Sequence, residues 1–215
     1  MTAEVPRRRG AHERRAHEHG ASSLRLVWVY PDLLSTYGDR GNLLILQRRA
    51  RLRGIEAEQV LVHADQAVPR QGDIYLLGGG EEGQPVAGLE ILDMRSGRGE
   101  RRGVGEILAD VNPALGLPPL TGFENHQGIT QHGPGVAPLA RVVTGVGNGD
   151  GTEGAWAGRV LGTYLHGPVL VRNPALADLL LSFVAGRLPP LASREDYWTQ
   201  SLRDQRLAAV TTAAP

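Results

Sequence analysis

The sequence predicts an α/β fold with a largely parallel sheet, and three observations lead there. Short apolar segments rich in β-branched and aromatic residues occupy 24–30, 57–62 and 73–77. A helical pattern lies between the first two of them. The links between these segments are short, and the order strand, helix, strand, strand with short links is typical of a parallel sheet.

The first strand and helix have clear boundaries in the sequence. Pro31 ends the first strand, and Asp39 is predicted to cap a helix that runs to about Arg53. Gly54 stands at the helix stop position. The predicted buried stripe of this helix consists of Leu43, Leu44, Leu46 and Ala50.

The second half of the chain reads as short strands separated by turns. Strand candidates lie within 103–110, 119–133 and 139–167, and Asn148-Gly149 and Asp150-Gly151 are hairpin signals. Asn173 is predicted to cap a last helix whose buried face carries Leu176, Leu179, Leu180 and Phe183. We therefore divide the chain into a polar tail at 1–24, a folded domain at 25–187 and a C-terminal extension at 188–215.

Composition excludes several classes of function. The 215 residues carry 41% hydrophobic and 21% charged residues with zero net charge, which gives no reason to expect a nucleic acid partner. No apolar run is long enough to span a bilayer, and we see no secretory signal. The chain has no Cys, which excludes disulfides and thiol catalysis, and no Lys, which excludes a P-loop.

Three blocks carry a family resemblance: YPDLLSTYGDRGN (30–42), TGFENHQG (121–128) and GTYLHGPVLVRNPALADLLL (162–181). They resemble the CobB/CobQ-like class I glutamine amidotransferases, and within that group the glutaminase subunit of actinobacterial lipid II isoglutaminyl synthase. The resemblance implies a flavodoxin-like, mostly parallel sheet and a cytoplasmic heterodimer with a Mur-ligase-like partner. Such a subunit hydrolyses L-glutamine, and the partner uses ATP and Mg to amidate the D-glutamate of the lipid II stem peptide. No cofactor or metal is implied for this chain itself.

The resemblance also assigns site residues. His166 matches the catalytic histidine, which acts as a base on the thiol and protonates the departing ammonia. Gly79 and Gly80, in the run Gly78–Gly80 after the third strand, match the oxyanion loop. Arg102 matches an arginine that holds the substrate, although Arg98 and Arg101 leave the register open and a solvated arginine is the alternative.

One departure from the family pattern is decisive for activity. Family members carry roughly fifty residues after the glycine loop, including a central strand and the strand-to-helix turn that bears the cysteine. This chain has Glu81 to Gly88 in their place, and eight residues reach at most about 27 Å. Ser96 is the nearest hydroxyl, but its surroundings do not read as a strand-to-helix turn. We therefore predict that one central strand and its flanking helices are missing together with the nucleophile.

Other interpretations stay open at this point. The chain is either an inactive glutaminase subunit or a non-catalytic subunit that still binds the ligase. A corrin acceptor, as in cobyric acid synthesis, is an alternative to lipid II. An unrelated flavodoxin-like ligand-binding domain would rest on Gly78–Gly80 alone. His126 and His132 are six residues apart without a Cys or carboxylate cluster, so we predict no metal site.

Overall fold

A computed structural model describes residues 23–35, 38–79, 90–191 and 194–212. Nearly all of the predicted N-terminal tail, Gly80 and the Glu81–Gly88 junction lie outside these described residues. The strands are β1 (Leu24–Val29), β2 (Ala57–Val62), β3 (Ile74–Leu77), β4 (Met94–Val111), β5 (Leu120–His132), β6 (Ala140–Thr144), β7 (Thr152–Glu153), β8 (Ala155–Ala157) and β9 (Val160–Gly162). The α-helices are α1 (Arg40–Arg51), α2 (Val169–Arg172), α3 (Pro174–Ala185) and α4 (Arg194–Thr212).

The first three strands form a parallel sheet in the order β2-β1-β3. The predicted strands at the N-terminal end of the domain are thus confirmed to within one residue at each end. One face of the sheet, with Leu26 and Trp28, packs into the main core together with residues of α1 and α3. This arrangement brings the carboxyl ends of β1 and β3 to the same edge, where loops can build a site.

The opposite face of the parallel sheet is covered much less. Its buried cluster consists of Val27, Val29 and Val62, with Tyr30 and Val60 against it, and no residue of a described helix joins that cluster. Within the described part of the chain, β3 pairs with β1 alone, and Leu77 on β3 is 54% exposed. A parallel sheet normally has both faces covered. The thin cover and the open β3 edge agree with the prediction that a strand and a helix are missing.

Helix α1 follows the predicted position but not the whole predicted stripe. Leu43, Leu46 and Ala50 are buried, as their helical spacing predicts, whereas Leu44 is 45% exposed. Leu44 was wrongly included because one residue turns the helix by about 100° away from the buried stripe. Asp39 occupies the N-cap position, but its carboxylate makes no capping hydrogen bond to the helix.

The second half of the chain forms an antiparallel sheet in the order β5-β4-β6-β7, so the sheet structure is not largely parallel as predicted. The connections here are too short for the crossover that parallel pairing requires. The predicted hairpin turn at Asn148–Gly151 is confirmed, because it joins the antiparallel strands β6 and β7. Gly147, Gly149 and Gly151 all have positive φ in this turn, which glycine adopts without strain.

The C-terminal helix α4 is attached to the domain through a cluster that we call the Arg49 clasp, made of Arg49, Arg53, Asp178 and Asp196. Arg49 is 5% exposed; its Nε and Nη2 donate to both carboxylate oxygens of Asp178, at 2.6 and 2.7 Å, and its Nη1 donates to Asp196 Oδ1 at 2.7 Å. Arg53 adds a bond to Asp178 at 2.7 Å. The clasp joins α1, α3 and α4 through charge-assisted hydrogen bonds. Among the described residues, no helix has the length and apolar character that crossing a bilayer needs.

Candidate active site

His166 lies on the extended segment that follows β9, at the edge of the antiparallel sheet. Its backbone N–H donates to the carbonyl of Phe123 on β5 at 2.8 Å, and its carbonyl accepts from the Phe123 N–H at 3.2 Å. Burial lowers the pKa of His166 below its ordinary value, with the nearby charge of Asp39 opposing the shift and that of His126 adding to it. The imidazole is therefore held as a neutral base at neutral pH, the state that general-base chemistry needs.

Gly79 lies next to His166 in the structure, and the catalytic roles that the resemblance implies for both stay predictions. A Cβ placed on Gly79 would lie 3.7 Å from His166 Cε1. The Gly79 N–H, the predicted oxyanion donor, donates to Asp39 Oδ2 at 3.0 Å. Asp39 therefore contacts the glycine loop and acts electrostatically on His166, a role that its expected capping function did not suggest. Gly80, the other predicted oxyanion residue, lies outside the described residues.

The two described glycines of this loop should respond very differently to substitution. A Cβ on Gly78 would lie 2.0 Å from the Leu34 carbonyl oxygen and 2.6 Å from Asp39 Oδ2. We expect Gly78→Ala to lower the free energy of unfolding by about 1–3 kcal/mol, because backbone must move. Gly79→Ala is the matched control and should change it by less than about 1 kcal/mol, since its Cβ meets ordinary contact distances. Urea denaturation measures both, and equal effects would contradict this picture of the loop.

The block TGFENHQG forms most of β5 and supplies a buried acid and a buried histidine. Glu124, 2% exposed, accepts hydrogen bonds from the backbone N–H of Val146 at 2.7 Å and of Gly147 at 2.9 Å. His126 Nε2 lies 3.5 Å from Glu124 Oε2, which is longer than an ordinary hydrogen bond. Burial opposes ionisation of Glu124, but the contact with His126 and the two backbone N–H groups outweigh it and lower its pKa. Glu124 thus fixes the turn after β6.

Glu153 is a second buried acid beside this pair, and nothing in the sequence pattern singled it out. Its side chain is fully buried, and Oε1 accepts hydrogen bonds from the Thr163 hydroxyl and the Tyr164 N–H, both at 2.8 Å. Burial raises the pKa of Glu153 to about 7, although these two hydrogen bonds and the charge of His126 act in the opposite direction. Glu153 therefore stays largely protonated at mildly acidic pH.

This raised pKa predicts a pH dependence of stability. Between the ordinary carboxyl pKa and about 7, the folded protein holds a proton that the unfolded chain releases. Stability from this group is thus present at low pH and falls as pH rises, by about 3 kcal/mol in total, levelling off above the folded pKa. Glu153→Gln cannot titrate, so its stability should fall less than that of the unmodified chain between pH 5 and pH 8.

Chemical denaturation at pH 5, 6, 7 and 8 measures this difference. Comparing Glu153→Gln with the unmodified chain cancels the contributions of the other titrating groups to the pH dependence of stability. One of these groups is His166, whose lowered pKa makes stability rise with pH. Glu56→Gln, at an exposed position, is the control. Parallel stability curves for the unmodified chain and Glu153→Gln would contradict the assignment.

The three signature blocks meet in space, which explains several of their residues. Asn42 at the start of α1 accepts a hydrogen bond through Oδ1 from the Leu170 N–H at 2.9 Å. Gly41 lies against Pro168, where a Cβ would come within 2.2 Å of the proline ring. Asn173 bonds both backbone groups of Thr121, the first residue of the β5 block. These contacts hold together the segments that carry Asp39 and His166.

Arg102 lies on β4 and is exposed. Its Nε and Nη2 donate to Asn125 Oδ1 at 3.1 and 2.8 Å, and Arg98 similarly donates to Gln127 Oε1 at 3.0 Å. Both guanidinium groups thus face amide oxygens on β5. The role of Arg102 in holding substrate stays a prediction.

The chain lacks a nucleophile of the expected kind, since it contains no Cys. Ser96 lies inside β4, where its hydroxyl shares a hydrogen bond with Thr130 Oγ1 at 3.0 Å rather than with a histidine. A serine hydroxyl needs a base within hydrogen-bonding reach to become nucleophilic. In the described ranges, no three His, Asp or Glu side chains are arranged to hold a metal ion.

Comparison with known proteins agrees with the blocks. Residues 81–174 match the CobB/CobQ-like glutamine amidotransferase domain. The chain is 29% identical over 206 residues to the GatD subunit of the glutamine-hydrolysing lipid II isoglutaminyl synthase of Staphylococcus aureus strain N315, covering 74% of this chain and 83% of that protein. It is 26% identical over 236 residues to the GatD subunit from Streptococcus pneumoniae strain ATCC BAA-255 / R6, covering 85% and 90%. A cobyric acid synthase from Sphingopyxis alaskensis is 35% identical over 99 residues, covering 45% of this chain and 18% of that protein.

The lengths of these alignments bear on the missing segment. The alignment with the S. aureus protein spans 206 positions, whereas 74% of the 215 residues of this chain is about 159, so about 47 positions fall opposite gaps in this chain. The same subtraction for the S. pneumoniae protein, 236 positions against about 183 residues, leaves about 53. Both totals, summed over all gaps in each alignment, are close to the roughly fifty residues whose loss the sequence predicts. Over residues 81–174 the chain is therefore similar to CobB/CobQ-like glutamine amidotransferases.

Proposed function

We propose that this chain is a glutaminase-type subunit of a lipid II isoglutaminyl synthase that has lost glutamine hydrolysis and keeps the surface for its ligase partner. The observation that carries the proposal is the proximity of His166, Gly79 and Asp39 in a chain without any Cys. His166 would serve as the base of such a site, and the Gly79 N–H, the oxyanion donor that the resemblance implies, is bonded to Asp39. The group that would form the acyl intermediate is absent.

The chemistry of the two half-reactions explains how such a subunit can persist as a binding protein. A glutamine amide is a poor electrophile, so without a thiolate its hydrolysis at this site loses covalent catalysis altogether. The ligase half-reaction, by contrast, needs ammonia from any source, together with ATP and Mg held by the ligase. The partner is a Mur-ligase-like protein, the assembly is a cytoplasmic heterodimer, and the acceptor is the D-glutamate of the lipid II stem peptide.

Co-purification and amidation assays test this proposal together. The chain, expressed with a Mur-ligase-like protein from the same organism, should co-purify with it and amidate lipid II with ammonium chloride but not with L-glutamine. The ligase alone, with the same ammonium chloride, is the control for any effect of binding. Failure to co-purify would overturn the binding role, and amidation with glutamine would overturn the loss of hydrolysis.

A corrin acceptor is the second candidate, favoured by the match to a cobyric acid synthase over 99 residues. The chain covers 18% of that protein, against 83% of the S. aureus GatD subunit, which supports lipid II instead. Supplying the same assembly with cobyrinic acid a,c-diamide in place of lipid II separates the two acceptors.

A further inference from the structure

The segment that presents His166 is held from two sides. Thr163–Leu165 follow β9 outside any regular strand, and His166 itself is bonded to Phe123 of β5. On the other side, Oε1 of Glu153 accepts from both the Thr163 hydroxyl and the Tyr164 N–H. The Leu165 N–H in turn donates to the Thr163 hydroxyl oxygen at 3.0 Å. The backbone of three successive residues ahead of His166 thus depends on one carboxyl oxygen, directly or through Thr163.

Glu153 is itself well placed to act as an anchor. It is the second residue of β7, where it pairs with Ala140 of β6, and its side chain is fully buried. Burying a carboxyl group costs free energy that an apolar side chain of similar volume would avoid. At this position the carboxyl group offsets part of that cost through its hydrogen bonds to the segment that precedes His166.

The surroundings of Glu153 connect it further to the candidate site. The ring of Tyr164 stacks on His126 with centroids 4.0 Å apart and an interplanar angle of 11°. The Tyr164 hydroxyl shares a hydrogen bond with Thr130 Oγ1 at 2.8 Å. His126 and Glu124, both on β5, are the charged groups that act on Glu153. A shift of Tyr164 would therefore disturb β5 as well as His166.

We propose that Glu153 is a positioning residue for His166: its buried carboxyl group fixes the backbone at Tyr164 and thereby sets where the imidazole lies against Gly79. The proposal rests on the proposed function only where it treats His166 as the base of a glutaminase-type site. The position and pKa of that imidazole can be measured without any catalytic activity.

NMR of the full chain with ¹³C-labelled histidine tests the proposal, with the His166 signal assigned by its loss in His166→Gln. In Glu153→Ala the segment loses its anchor, so the His166 pKa should rise towards the ordinary value of about 6.5 and its Cε1–H signal should move. Glu153→Gln keeps an oxygen that accepts both hydrogen bonds and should leave the His166 pKa near that of the unmodified chain. Glu56→Gln, exposed, is the matched control.

Thr163→Val provides a second, milder test should Glu153→Ala not fold. It removes the hydroxyl that donates to Glu153 and accepts from Leu165, and it should move the His166 signal in the same direction. An unchanged His166 signal and pKa in folded Glu153→Ala, or in Thr163→Val, would overturn the proposal. Loss of partner binding in the co-purification assay would leave these NMR results untouched, so the two failures are distinguishable.

Discussion

Replacing Arg49 with alanine should lower the free energy of unfolding by about 3–5 kcal/mol, because it removes a buried guanidinium that bonds to both Asp178 and Asp196. Arg49 is almost fully buried and bonded to both Asp178 and Asp196. Burial alone would lower the pKa of Arg49, but the two carboxylates outweigh that effect and raise it. The fold thus stabilises the charged form of Arg49.

The loss should be accompanied by release of α4. Asp196 lies in α4, and the bond to Arg49 is one of the contacts that hold this helix on the domain. Urea denaturation measures the stability, and limited proteolysis within 194–212 measures the release. Arg51→Ala, an exposed arginine in the same helix, is the control and should cost less than about 1 kcal/mol. Equal losses for the two arginines would show that the clasp does not hold the domain together.

Replacing Asn173 with aspartate is the second large effect that we expect, again about 3–5 kcal/mol at neutral pH. Asn173 is 2% exposed; its Oδ1 accepts from the Thr121 N–H at 2.9 Å, and its Nδ2 donates to the carbonyls of Thr121 and Val169 at 2.7 and 2.8 Å. Aspartate has nearly the same shape but no N–H group. A buried carboxylate would then face two carbonyl oxygens.

The pH dependence identifies this mechanism. A protonated aspartic acid can donate to one of the two carbonyls, so Asn173→Asp should be less destabilised at pH 5 than at pH 8. Asn42→Asp is the control, because Asn42 Oδ1 accepts from the Leu170 N–H at 2.9 Å, and a carboxylate can do the same. A loss below about 1 kcal/mol in Asn173→Asp would contradict the role of this amide in joining the signature blocks.

The sequence predicted the elements whose signals are local. β1, β2, β3, α1 and α3 were predicted within two residues of their observed ends, because apolar periodicity, Pro31 and Gly54 mark them. The antiparallel pairing of β4 with β5 was not foreseen, since pairing direction depends on contacts between distant segments. The prediction of a largely parallel sheet came from the order of segments in the first half of the chain and from the family resemblance, and it was wrong for the second half.

The candidate site shows the same division. His166 was predicted from the third block and Gly79 from the glycine run after β3, and the two lie close together, while their catalytic roles stay predictions. Asp39 was read as a helix cap, although its carboxylate reaches the Gly79 N–H across 40 positions of sequence. No sequence pattern indicated that Glu153 is buried, because a lone glutamate in a glycine-rich turn is usually interpreted as solvent-exposed. Its burial results from the packing of β7 against the segment after β9, which no local pattern reveals.

Ammonia release from L-glutamine by the purified chain tests the central claim most directly. We predict no release above the blank, because the chain contains no Cys to form the acyl intermediate. The S. aureus GatD subunit of the glutamine-hydrolysing synthase, assayed in the same way, is the positive control. Release of ammonia by the unmodified chain, abolished in His166→Ala, would contradict the account.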